Sequence, residues 1–81
     1  VSADVEAALA LTREIAPHLA GKPPQVQGAA LADLLATWLA GHLLPEDRHA
    51  TDELRAALLE RHLKAVRRLI PENAKAMGLP W

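Results

Sequence analysis

The stretch Gln25–Leu44, QVQGAALADLLATWLAGHLL, constrains this chain more than any other. It runs for 20 residues with one formal charge, Asp33. As an α-helix it would be about 30 Å long. Leu31, Leu34, Leu35, Trp38 and Leu39 recur at helical spacing and make a broad apolar face. Ala29, Ala32, Ala36 and Ala40 make a second stripe of small side chains, along which another helix can approach closely. Asp33, Thr37 and Gly41 are left as a narrow polar strip. A helix apolar around most of its girth is expected to be buried.

A membrane span is the competing reading, because the length fits a bilayer. Asp33 argues against it: a carboxylate near the centre of a span costs roughly 3 kcal/mol on insertion scales. Alanine contributes much of the apolar content, and no Lys/Arg cluster flanks the run. The expectation is a central helix of a soluble protein, without a membrane partner.

The 81 residues are expected to form a single domain, 1–81. A chain this short buries only about 60–65% of its unfolded surface, so its core is marginal. Leu and Ala dominate and β-branched residues are scarce, which favours helix over strand. With no Phe or Tyr, such a core would consist of Leu knobs, Ala gaps and Trp38. The net charge of −1 creates no field that would draw DNA or an anionic membrane. Without Cys there are no disulfides and no thiolate metal sites, which is compatible with a cytoplasmic setting. A chain opening on Val1 is expected to be processed or part of a longer product. Asp4, Glu6 and the lack of a basic leader argue against a signal peptide.

In chain order, Ser2 or Asp4 can cap a first helix over residues 4–16. Its apolar positions Val5, Ala8, Leu9, Ile15 and Ala16 follow one-sided helical spacing. Pro17 is expected to end or kink it, with an irregular last turn at His18–Leu19 and Gly21 just beyond the end. Gly21-Lys22-Pro23-Pro24 is the clearest break, and Pro24 suits the first position of a second helix over 24–43. Leu44-Pro45-Glu46-Asp47 reads as a turn. A third helix over 47–70 follows, with Thr51 as a candidate cap. Leu59, Leu63, Val66 and Ile70 line one face of it, and Glu60–Lys64 is an i, i+4 ion-pair candidate. Pro71 is expected to break this helix and leave a short C-terminal helical turn closed by Gly78. The fold class is therefore all-α: a small three-helix domain, with antiparallel neighbours expected from the short connections.

Few residues point to chemistry. Asp33 is either a perturbed acid or base in a pocket, or a group on the polar strip that reaches water or a basic side chain. A partner is expected, with His62 or an arginine of the third helix the best placed. His42 near the end of the second helix can meet the negative end of its dipole. Glu46-x-x-His49 has the Glu-x-x-His spacing of di-iron bundles, but no second copy occurs and Pro45 places it on a turn. His62, on the apolar face, reads as a core histidine before it reads as a ligand. The run Arg61, His62, Lys64, Arg67, Arg68 could track phosphates, yet Glu60 and Glu72 bracket it. With a single Ser and no Gly-rich loop, nucleophilic catalysis and phosphate cradling have little support.

The expected function is a non-enzymatic helical interaction module. It would be a small accessory protein that self-associates as a homodimer, or binds a helical partner, through Ala29, Ala32, Ala36, Ala40 and Trp38. No cofactor and no nucleic acid are expected. The alternative is a ligand- or metal-binding protein using Asp33, His42 and His62 as the polar groups of a pocket. A weak nucleic-acid contact through the third helix comes third.

Overall fold

The computed structural model describes residues 2–81. It contains three helices, α1 (Ala3–Leu19), α2 (Pro24–Ala40) and α3 (Arg48–Ala76), and no strand among the described residues. The protein is all-α. None of these helices is long and apolar enough to cross a membrane. The chain divides into two compact units, one running to Leu34 and the other from Leu35 to Trp81. The division falls inside α2.

In the first unit, Ser2 caps α1: its side chain accepts from the Val5 amide at 3.1 Å. Asp4 and Glu6 lie in the first turn, at the positive end of the helix dipole. Pro17 neither ends the helix nor stands outside it; α1 continues through it to Leu19. In the last turn, the missing proline N–H removes one helical bond only. Gly21 follows with φ of 76°, the left-handed geometry in which glycine avoids a Cβ penalty. Pro24 opens α2, and Gln27 Nε2 donates to the Leu19 carbonyl at 2.8 Å, closing one of the free carbonyls of α1.

In the second unit, α2 ends at Ala40, three residues before the expected boundary. Leu44–Asp47 is a turn closed by Asp47 N–H to Leu44 C=O at 3.2 Å. Pro45 takes its second position. Glu46 takes the third with φ of 71°, a site where type II turns favour glycine. Asp47, rather than Thr51, caps α3, its Oδ1 accepting from Ala50 N–H at 2.9 Å. The break expected at Pro71 does not occur either. Helix α3 runs through Pro71 for another five residues, so the expected separate C-terminal turn is its last turn. Its end is a Schellman closure around Gly78, φ 75°: Leu79 N–H meets Ala74 C=O at 2.9 Å and Gly78 N–H meets Lys75 C=O at 3.0 Å.

No core of the expected kind forms. Among the described residues only Thr51 and Ala74 are buried, and α2 contains no buried residue at all. Leu31, Leu34 and Trp38, expected at the centre of the core, are about half exposed. The physical reason is the number of neighbours. A helix apolar around its girth needs cover on several sides. In the first unit only α1 is available to α2; in the second, only α3 is.

Candidate functional site

The second unit has one tightly bonded polar corner, where α2 ends and α3 begins. Helix α2 has no basic residue in its last turn, so its final carbonyls need partners from elsewhere. All four are closed. Gly41 N–H donates to Thr37 C=O at 3.1 Å and His42 N–H to Leu39 C=O at 3.0 Å. His42 Nδ1 lies 2.8 Å from Trp38 C=O, and since a carbonyl only accepts, that nitrogen carries the proton. Arg55, from the second turn of α3, supplies the rest. Its Nη2 donates to Ala40 C=O at 2.7 Å, and its Nε is shared between Leu39 C=O and His42 C=O, both at 3.1 Å. The guanidinium thus places a fixed positive charge on the negative end of the α2 dipole.

Thr51 fastens the connecting loop from the other side. It is 2% exposed, the most enclosed residue described. Its hydroxyl accepts from Leu44 N–H at 3.0 Å and shares its one proton between Leu44 C=O at 3.1 Å and Asp47 C=O at 2.8 Å. Neither Arg55 nor Thr51's loop contact is evident in the sequence. The available signal for Arg55 was indirect: a helix ending in Ala-Gly without a cation, followed by an arginine in the second turn of the next helix.

The residues singled out from the sequence fall as follows. Trp38 stands beside two imidazoles, with its ring centroid 4.9 Å from His42 edge-on and 5.6 Å from His62. His62 is exposed rather than a core histidine. Asp33 is exposed and belongs to the other unit. It takes part in neither ion pair of the described residues, Arg48–Asp52 at 3.9 Å and His49–Glu53 at 2.9 Å. Glu60–Lys64 does not close into an ion pair either. His49 pairs with Glu53 instead of Glu46. Among the described residues, no group of three or more His, Asp or Glu side chains gathers where it could hold a metal ion. Arg61, Lys64, Arg67 and Arg68 are all exposed.

What the geometry offers is apolar surface. In the first unit, Ile15, Ala16 and Leu19 of α1 face Leu31 and Leu34 of α2 across an open groove of about 260 Å³, with Thr12 at its edge. In the second, Ala36, Leu39 and Ala40 of α2 face Arg55, Ala56 and Leu59 of α3 across one of about 370 Å³. Ala36 and Ala40 thus line a groove; Ala29 and Ala32, in the first unit, are simply exposed. Further along α3, Val66, Leu69, Ile70 and Met77 border a third apolar hollow with Leu79 and Trp81 of the tail.

Compared with known protein families, curated proteins and solved structures, the chain matches none.

Proposed function

We propose that this chain is a non-enzymatic helical interaction module that works by associating with a second copy of itself. One observation carries the reading. Seventeen large hydrophobic residues are exposed among those described, in both units of the chain. Soluble monomers seldom keep contiguous apolar patches beyond a few hundred Å². A two-fold axis needs only one self-complementary surface to supply cover.

The test is sedimentation or light scattering over a hundredfold range of concentration, with Ala36→Glu alongside. The expected result is a dimer whose melting temperature rises with concentration, since association stabilises the folded state by mass action. Ala36→Glu puts a carboxylate at the open groove of the second unit and is expected to abolish assembly. A monodisperse monomer with a concentration-independent melt would overturn the reading.

A further inference from the structure

The α3 helix carries a seam that specifies how a second copy would lie. Ala56, Leu59, Leu63, Val66, Ile70, Asn73 and Met77 follow one another at alternating steps of three and four residues. That is the spacing of a coiled-coil seam, held here over three heptads. Most of the seam lies in the open, with Leu63 half-buried. Leu59 is 36% exposed, Val66 40%, Ile70 60% and Met77 72%. At its N-terminal end it merges with the groove of the second unit, because Ala56 and Leu59 belong to both. Within that unit α2 contributes only residues 35–40, too short a helix to run beside the 29 residues of α3.

Charges beside the seam distinguish the possible pairings. Glu53, Glu60 and Arg67 flank it on one side, one heptad apart. In an antiparallel pair, residues on this flank meet their own kind across the two-fold axis. With Leu63 against Val66 of the second copy, Leu59 falls against Ile70, and Glu60 falls against Arg67 twice, once on each side of the axis. Sliding one chain by one heptad toward the N-terminus sets Glu60 against Glu60 on the axis, a repulsion, and leaves Arg67 to face Glu53. Sliding it one heptad the other way sets Arg67 against Arg67, a repulsion, and Glu60 against Ala74, which forfeits both ion pairs. A parallel pair brings His62 against Arg67 and offers Glu60 only Arg55, which is already bonded to α2.

We infer that the second copy binds as an antiparallel α3, in the register that places Leu63 against Val66 and Glu60 against Arg67, with Ile70 of each copy entering the groove beside Leu59 of the other. This rests on the self-association proposed above and adds its surface, direction and register.

Three sets of full-length variants test it in the ultracentrifuge, with helix content followed by circular dichroism. Ile70→Glu is expected to abolish the dimer. Glu60→Arg and Arg67→Glu, both at exposed sites, are each expected to weaken it by about five- to tenfold, since two attractive contacts become repulsive. The double swap is expected to restore wild-type affinity. For direction, Met77→Cys supplies the chain's only thiol for a nitroxide label. In the proposed register the two labels stand roughly 35–40 Å apart along the helices, whereas a parallel pair would hold them within about 15 Å. A wild-type monomer at every concentration would remove this inference together with the self-association reading. A dimer that survives Ile70→Glu would overturn the inference alone and leave self-association standing. Failure of the double swap to restore affinity would overturn the register, and a short label distance the direction.

Discussion

Thr51 and Arg55 stand one turn apart on α3 and between them hold the α2–α3 corner. Each does so with bonds to main-chain groups: Thr51 to Leu44 and Asp47, Arg55 to the last carbonyls of α2. Replacing Thr51 by Val keeps the volume but strands the Leu44 amide, while the Leu44 carbonyl keeps its bond from Asp47 N–H. The expected cost is about 1–3 kcal/mol, read from denaturant unfolding at fixed protein concentration. Thr51→Ser keeps the hydroxyl and should recover most of it; an equal loss would point to the methyl group instead. Arg55→Lys keeps the charge but cannot span three carbonyls with a planar fork. We expect it to lose about 1 kcal/mol and to raise amide exchange at Gly41 and His42, whose own bonds complete the same cap. Unchanged exchange there would mean that the guanidinium adds little to the cap. Apart from the Thr51–Asp47 bond, these contacts were hidden in the sequence because they join residues 7 to 16 positions apart, beyond the reach of helical periodicity.

Helix α3 illustrates how an element can override its strongest local signal. Pro71 lacks an N–H, leaving the Arg67 carbonyl without its usual helical partner. The helix nevertheless continues to Ala76 and is closed by the bonds around Gly78. Arg67 is exposed, so water can take the free carbonyl. The sequence favoured a break because a proline inside a helix costs about 3 kcal/mol. That cost is tolerable where several favourable residues and a good C-terminal cap follow. Pro71→Ala is expected to stabilise the protein by about 1–3 kcal/mol, the higher freedom of the unfolded chain offsetting part of the gain. It should also slow amide exchange across residues 70–74. Faster exchange in the variant would show that proline is needed to shape this turn. The same reasoning covers Pro17, where only the last turn of α1 is at stake.

For the molecule as a whole, the proposed self-association would tie folding to assembly. With Thr51 and Ala74 alone buried among the described residues, little apolar area is available within one chain to offset the entropy of ordering three helices. Dilution through the dissociation range should therefore lower the helical signal at 222 nm along with the mass. A helical signal that stays constant while the mass halves would show that the single chain is stable without its partner surface. The sequence by itself determined that three helices form, their breaks at Gly21–Pro23 and Leu44–Asp47 and the glycines that end α1 and α3, and it offered Ser2 as one of two candidate caps. Each of these follows from φ preferences, missing donors or capping groups acting within a few residues. It also marked Leu59, Leu63, Val66 and Ile70 as one apolar face. Which faces find cover was decided only by the tertiary structure, because periodicity states that a surface is apolar without stating what lies opposite. Hence Leu31, Leu34 and Trp38, read as core, stand half open, while Thr51, read only as a candidate cap, is the most enclosed residue described.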